Sequence, residues 1–342
     1  MPLTPSLDTL DSVGELAALA RIIPRLPEAQ TALLGPGDDA AVLAADDGRY
    51  VVTTDMMIHG PDFRTAWSTM HDLGWKAAAT NLSDVAAMGA RPTALVVALA
   101  APGNTLVADL EAFADGMRAA CTQLAPGCGV VGGDLSASSM LTIAVTAFGD
   151  LEGRAPVTRS GARVGDVLAV SGSLGAAARG LALLFERGVD AEGAPDAAAA
   201  ARLRVEHPAP LAAQLAPCPP IADGSIAARA GATAMLDLSD GLALDARRLA
   251  IASGVALDLD GEVLATFGDR ALTGGEDHSL LATFPAQVEA AGLPGGFVAI
   301  GRVIVCPRER DGRPLPAVFV DGLRVDERGG WDPFEGWAGQ AG

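Results

Sequence analysis

Apolar residues recur along this chain with two alternating periods, and the places where the period changes mark its elements. Ser12-Val13-Gly14-Glu15 has the spacing of a capping box, and Leu16, Leu19, Ala20 and Ile23 then recur on one helical face. Segments 40–43 and 50–54 read as strands around the turn Asp46-Asp47-Gly48. The spacing predicts a helix over 72–88, ended by Gly89, Ala90 and the Arg91-Pro92 step. A continuous apolar strand follows at 93–100, then a helix at 106–124. Val130-Val131 and 140–148 read as strands, with Asp134 in the glycine-rich connection between them.

Between 150 and 162 the pattern dissolves into Gly, Arg, Pro and Ser, which places a domain boundary there. A strand at 167–170 then leads through Ser171-Gly172-Ser173-Leu174-Gly175 into a helix ending near Arg187. The alanine-rich stretch 191–201 favours helix. A strand at 233–238 feeds Ser239-Asp240-Gly241 and a helix at 242–252, and 280–284 and 297–303 read as further strands. Strands sometimes arrive in pairs, so the expectation is an α+β protein of two domains, 1–150 and 151–342, each with its own core. No G-x-G-x-x-G opens a first strand–helix unit, and the P-loop pattern G-x-x-x-x-G-K-[ST] is absent. A nucleotide would have to be bound by some other design.

Composition narrows the class. Half of the 342 residues are hydrophobic but only 4% are aromatic, so the cores should be Ala/Val/Leu packing. Apolar runs fall short of the roughly 18–20 residues of a membrane span, and no basic segment followed by an apolar one opens the chain, so a soluble cytoplasmic protein without a membrane partner is expected. A net charge of −18 leaves no basic stripe to track nucleic-acid phosphates. Cys121, Cys128, Cys218 and Cys306 show no C-x-x-C spacing, and the four histidines are scattered, which reads as reduced thiols rather than zinc ligands.

The acidic residues are the informative ones. They cluster at Gly37-Asp38-Asp39, Thr53-Thr54-Asp55, Ser83-Asp84, Gly132-Gly133-Asp134, Asp237-Leu238-Ser239-Asp240-Gly241 and Gly274-Gly275-Glu276-Asp277. Acids beside glycines at the ends of apolar strands suit oxygen-ligated cations such as Mg²⁺. The single lysine, Lys76, cannot neutralise them all. Asp84 shares a helix face with Lys76, Thr80 and Met88 amid alanines; it is either a solvated helix position or a buried acid needing a partner or a metal. Asp38 and Asp39 make either an ordinary turn or a ligand pair, and Asp55, after two threonines, is placed at a strand end where Asp also serves turns. Asp237 and Asp240 can face one ion with Ser239 donating to a phosphate at a helix start, although Ser239 or Asp240 can equally be that helix's N-cap. Gly172 to Gly175 could cradle a phosphate or simply make a tight turn, and Gly274-Gly275 would let backbone approach a ligand. No Ser/His/Asp or Cys/His set is spaced for covalent catalysis. Transfer to a phosphate acceptor needs none, because that acceptor is already ionised near neutrality.

The ordered motifs GDDAAVL, TTDMMIHGPDF, GWKAAATNLSDVAAMGARP, GGDLS, SGSLGAAARGL, DLSDGL, GGEDHSLL and IGRV, from about Gly35 to Trp331, resemble the thiamine-monophosphate kinase family. The resemblance implies the fold of the aminoimidazole-ribonucleotide synthetase superfamily: two α/β domains, and a homodimer whose amino-terminal domains build a shared barrel. It implies ATP- and Mg²⁺-dependent phosphorylation of thiamine monophosphate to thiamine diphosphate, the last step of that biosynthesis, by direct in-line transfer with several Mg²⁺ ions and ATP as co-substrate. Carried over by motif, Asp39, Thr53, Thr54, Asp55, Asp84, Asp134, Asp237 and Asp240 are implied metal ligands, and Asp84, Asp134 and Asp240 the acids on which catalysis depends. Gly133, Asp134, Arg159 and Ser239 match ATP contacts, and Asp62, Glu276 and Trp331 match contacts to thiamine phosphate. Trp331 offers an indole face to a cationic thiazolium or a pyrimidine, or caps a core. Asp62 stands where many members have histidine, and His278 where many have tyrosine.

Sister enzymes are the nearest rivals. Selenophosphate synthetase would need a cysteine or selenocysteine near an amino-terminal glycine-rich segment, and none precedes Cys121. The hydrogenase-maturation protein would need a carboxyl-terminal cysteine where this chain has Gly-Gln-Ala-Gly, and the purine enzyme's motifs are missing. A non-catalytic nucleotide or metal scaffold would not need all six acidic motifs.

Overall fold

The computed structural model describes residues 7–34, 41–307, 314–326 and Gly330. Asp38, Asp39 and Trp331 therefore lie outside the described residues. The chain opens with α1 (Leu10–Val13) and α2 (Glu15–Ile22), then a 3₁₀ turn and the antiparallel pair β1 (Ala32–Leu34) and β2 (Val42–Leu43). The capping box belongs to α1, where Thr9 and Ser12 cap each other; α2 starts at Gly14 without a side-chain cap. Glutamate at 15 therefore does not close the box expected from Ser12.

The next elements are β3 (Val51–Ile58), α3 (Met70–Ala87), β4 (Arg91–Ala101), α4 (Val107–Leu124), β5 (Gly129–Ala137) and β6 (Thr142–Asp150). They form a four-stranded sheet in the order β3-β6-β4-β5, in which only β4 and β5 run parallel. The rest of the chain supplies β7 (Val167–Ser171), α5 (Ala176–Arg187), α6 (Ala197–Glu206), α7 (Pro208–Leu215), α8 (Ile221–Arg229), β8 (Ala234–Leu238), α9 (Leu242–Ser253) and β9 (Ala256–Leu259). It ends with α10 (Gly261–Phe267), β10 (Ser279–Phe284), α11 (Ala286–Ala291), β11 (Val298–Ile304), β12 (Val318–Val320) and β13 (Leu323–Arg324). This second sheet has the order β13-β12-β9-β11-β7-β10-β8 and is antiparallel except between β12 and β9. The expectation of mixed α+β architecture holds. The largest core cluster, however, runs through both sheets, joining Leu82 and Val85 to Met235, Leu280 and Phe284.

Helix α3 makes that junction. Thr69 and Asp72 cap its start reciprocally, and Asp72 also receives Arg204 at 2.6 Å. Small residues let it bury nearly every side, including Lys76, Thr80, Asn81 and Ser83. Its approach to α4 is backbone on backbone: a Cβ on Gly74 would lie 2.0 Å from the Phe113 carbonyl oxygen, and one on Gly116 2.0 Å from that of His71. Gly74→Ala is therefore expected to destabilise the protein by about 2 kcal/mol through forced separation of the helices. Urea unfolding measures it, and an unchanged midpoint would contradict the close crossing.

Among the described residues nothing covers the opposite face of the four-stranded sheet, which carries exposed apolar side chains. Val52 and Met56 on β3 are 55% and 59% exposed, and Ala98 on β4 is exposed beside them. Strand alternation puts these residues on one face and Thr53, Asp55 and Met57 on the other, towards α3.

Candidate active site

Carboxylates from both parts of the chain converge where α3 meets the end of β8. Asp55 lies within β3 rather than at its end, because pairing with β6 continues to Ile58. It shares the helix-facing side with Thr53, whose hydroxyl donates to Asp84 Oδ2 at 2.9 Å. One residue before Asp84, the Ser83 hydroxyl donates to Asp237 Oδ2 at 3.4 Å, and His278 Nδ1 is also 3.4 Å from that oxygen. Burial, then the charges of Asp237 and Asp55, push the Asp84 carboxyl up to about 7. Asp55 is raised by burial and, against an opposing pull from His278, by Asp237, Glu276 and Asp240. These acids feel one another. Asp84 is thus a half-buried acid with a partner in Thr53 rather than a fully solvated helix position.

Positive charge arrives from two residues. Lys76 Nζ pairs with Glu276 at 2.5 Å and donates to the Gln214 carbonyl at 3.2 Å. Arg248 Nη1 lies 2.6 Å from both Asp240 and Asp245. Burial raises Glu276, but Lys76 and His278 outweigh it and the carboxyl titrates below its ordinary range. Burial lowers His278, yet Asp237 and Glu276 hold its pKa above the usual value. Asp245 is raised to about 6 by burial and by Asp240. Composition alone counted lysine and missed Arg248, although Asp245 and Arg248 stand at i, i+3 on α9.

The loops around the cluster also differ from expectation. Gly241 is the N-cap of α9 and no side chain caps it, so neither Ser239 nor Asp240 is spent on capping. Instead Asp245 Oδ2 accepts the Asp240 amide at 3.0 Å. The α9 amide of Ala243 goes to the Leu272 carbonyl, which removes one donor a phosphate could use. The turn from Gly172 to Gly175 is closed to phosphate in the same way, because a carboxylate already sits there. Asp277 accepts from the Ser173 hydroxyl at 2.9 Å and from the amides of Gly175, Ala176 and Ala177 at 2.6, 3.0 and 3.1 Å. Its neighbours Glu276 and His278 have φ of 71° and 51°, a left-handed conformation that is costly for such residues. Their amides hold it by donating to the carbonyls of Ser239 at 2.7 Å and Leu238 at 3.0 Å.

Two cavities are lined in part by residues of the cluster. One, of about 670 Å³, is lined by Thr53, Asp84 and Asp237 together with Arg159, Tyr50 and Pro156. The other, of about 180 Å³, is lined by Asp62, Lys76, Glu276 and Arg64, with apolar walls from α5. Asp62 is fixed there by the Ile58 amide at 2.6 Å. The structure thus gathers Thr53, Asp55, Asp84, Asp237, Asp240, Ser239 and Glu276, with Arg159 and Asp62 in the adjoining cavities. It does not bring in Thr54, whose hydroxyl donates to the Val145 carbonyl at 2.9 Å on the uncovered sheet face. Nor does it bring in Asp134, which is within β5 rather than in a connection; its register with Ala98 puts it on that same face, beside Ser136 at 2.7 Å, and Gly133 precedes it. At Gly330 the chain lies against Asp240, close enough that a Cβ would sit 2.4 Å from the Asp240 carbonyl oxygen.

The donor set suits a hard cation. Carboxylates and a hydroxyl make it up, and their mutual repulsion marks a place that favours positive charge. Among the described residues, no three His, Cys, Asp or Glu side chains form a closed chelating group.

A four-stranded mixed sheet with helices stacked on one face, and an acidic cluster shared with a second α/β unit, defines a class: the family model described as AIR synthase related protein, N-terminal domain, matches residues 37–151. Among curated proteins, the thiamine-monophosphate kinase of Mycobacterium tuberculosis is 43% identical over 341 residues, covering 95% of this chain and 93% of that protein. Among solved structures, the thiamine-monophosphate kinase of Stenotrophomonas maltophilia K279a superposes with a TM-score of 0.72 at 33% identity, covering 91% of this chain and 98% of that one. The structure of AaThiL complexed with AMPPCP and TMP superposes at 0.68 with 32% identity, covering 85% and 90%. The chain belongs to the thiamine-monophosphate kinase family. No helix among the described residues is long and apolar enough to cross a membrane.

Proposed function

We propose that this protein transfers the γ-phosphoryl group of ATP to thiamine monophosphate, giving thiamine diphosphate and ADP, as the last step of thiamine diphosphate biosynthesis in the cytoplasm. The observation that carries the reading is that two cavities each take part of one acidic cluster as lining, Thr53, Asp84 and Asp237 in one and Asp62, Lys76 and Glu276 in the other. Relatives named for this activity, and a related structure holding AMPPCP and TMP together, support it. ATP would take the larger cavity, where Arg159 faces its phosphates and Ser239 adjoins. Thiamine monophosphate would take the smaller.

Asp55, Asp84, Asp237, Asp240 and Thr53 would hold Mg²⁺, which when bound offsets phosphate charge. The protein's own share is positional. A substrate monophosphate in the smaller cavity would meet the γ-phosphorus of ATP in the larger at the shared cluster, its oxygen forming the new P–O bond as the bond to ADP breaks. Lys76 keeps Glu276 ionised and fixed, and the raised Asp84 carboxyl gives up its proton where a cation replaces it. Residues 1–150 would form the Mg²⁺/ATP and dimerisation unit, and 151–342 the remaining metal, phosphate and substrate contacts. The uncovered apolar face with Val52 and Met56 supports a homodimer in which two such sheets close a shared barrel. Asp134 and Thr54 on that face, with Gly133, would then act within the assembly.

The test is chromatographic detection of thiamine diphosphate from purified protein, ATP, Mg²⁺ and thiamine monophosphate. Turnover is expected. Its absence, with activity on another phosphate or on a sulfur or selenium acceptor, would overturn the assignment.

A further inference from the structure

One charged side chain in the smaller cavity makes no hydrogen bond or ion pair among the described residues. Glu276 and Lys76 are paired at 2.5 Å, and Asp62 already accepts the Ile58 amide. Arg64 also lines the cavity, yet its guanidinium has no hydrogen-bond or ion-pair partner among the described residues. Five N–H donors in a planar fork are therefore available to a ligand.

Arg64 is held in place for that purpose. Its carbonyl accepts the amides of Trp67 at 3.0 Å and Ser68 at 2.9 Å, which fixes the backbone. Its Cζ lies 4.7 Å from the Trp67 ring centroid and 4.8 Å from that of Phe185. Trp67 is buried and anchored by its indole N–H to the Gly188 carbonyl at 2.7 Å, and the two rings meet edge to face at 5.0 Å. Cation–π contact keeps the guanidinium against the wall without consuming its N–H groups. An arginine with a purely structural role would normally spend those donors on carbonyls or carboxylates.

We propose that Arg64 is the specificity-determining residue for the aminopyrimidine half of the substrate, its N–H edge donating to a ring nitrogen. The proposal rests on the kinase reading above and deepens it. An aminopyrimidine offers in-plane nitrogen acceptors next to an amino donor. Arg64 meets the acceptors, and the free oxygens of Asp62 or Glu276 meet the amino group. The substrate's phosphate belongs at the acidic cluster, where transfer takes place. Arg64 is set instead among Leu181, Leu184 and Phe185, an apolar wall suited to a flat heterocycle.

Arg64→Met and Arg64→Lys test this, with calorimetric binding of thiamine, thiamine monophosphate and the phosphorylated thiazole fragment lacking the pyrimidine. Loss of a charged hydrogen bond corresponds to roughly 10- to 100-fold in affinity. That loss is expected for thiamine and thiamine monophosphate alike, with the thiazole fragment unaffected, KM for thiamine monophosphate raised, and kcat and KM for ATP little changed. Lysine should not restore binding, because an ammonium lacks the planar fork. Weaker binding of thiamine monophosphate with thiamine unchanged would show that Arg64 reads phosphate and would overturn the proposal, as would unchanged binding of all three. If wild-type protein turns over no thiamine monophosphate, the kinase reading itself fails; turnover with indifferent Arg64 variants refutes only this inference.

Discussion

Asp84→Asn is expected to cut turnover by at least about a hundredfold while making the cation-free protein more stable at pH 8. Both effects have one cause. The carboxylate lies between Asp237 and Asp55, and burial with their charges pushes it to about 7. Asparagine is nearly isosteric and its carbonyl still accepts from Thr53, now at 2.9 Å from Asp84 Oδ2. What it loses is the negative charge that a divalent ion needs. Repulsion without the ion costs stability, so removing it should raise Tm by about 5 °C. A variant that keeps full activity would exclude Asp84 from the cation site. A variant that loses activity by unfolding would show a lowered Tm instead.

The sign of the pH dependence follows from the same group. An Asp near ~3.9 in the unfolded chain and at about 7 in the fold gives a native state that binds more protons in between. Its stabilising contribution is whole below the unfolded value and is lost as pH rises through the folded one. Asp245, raised to about 6, adds to this over the lower part of the window. In chelator, wild-type Tm should therefore fall between pH 5 and pH 8. Asp84→Asn should flatten that slope, and added Mg²⁺ should offset it by binding the folded state.

Most of the helices and strands were legible because their periods were strong, as in α3, α4, β4 and β6. Short elements after a proline or within mixed sequence, such as α7 from Pro208 and β9 at Ala256–Leu259, gave no such period. Strand ends misled where polar residues continue a ladder: Asp55 and Asp134 pair within β3 and β5 although threonine and glycine beside them suggest termination. The acids of the site were visible as residues but not as partners. Whether Arg248 lies on Asp240, or Lys76 on Glu276 some 200 positions away, is decided by how α3 crosses to the second sheet. Alternation did carry information about facing: it separates Thr53 from Thr54 by one residue and sends them to opposite sides of β3.

Asp277→Ala is expected to destabilise the protein by about 4 kcal/mol, the largest single-site stability loss argued from this structure, and to take activity with it. Its carboxylate satisfies three amides at the start of α5, those of Gly175 and Ala177 buried and that of Ala176 half-buried, as well as the Ser173 hydroxyl. Alanine would leave those donors unpaired and the positive end of the α5 dipole without its anion. The same carboxylate pulls the 274–278 loop against α5, where Gly274 fits only because it lacks a Cβ, which would come 2.7 Å from that of Ala178. Glu276 and His278 hold left-handed backbone angles within that loop, and their side chains contact Lys76 and Asp237. Relaxing the loop would therefore unhook one wall of the small cavity from the acidic cluster. Asp277→Asn, which keeps one acceptor, should retain roughly half of the stability and part of the turnover. Chemical denaturation alongside the coupled ATPase assay measures both, and an alanine variant with wild-type Tm and kcat would show that the α5 amides find another partner and that the loop stands without the anchor.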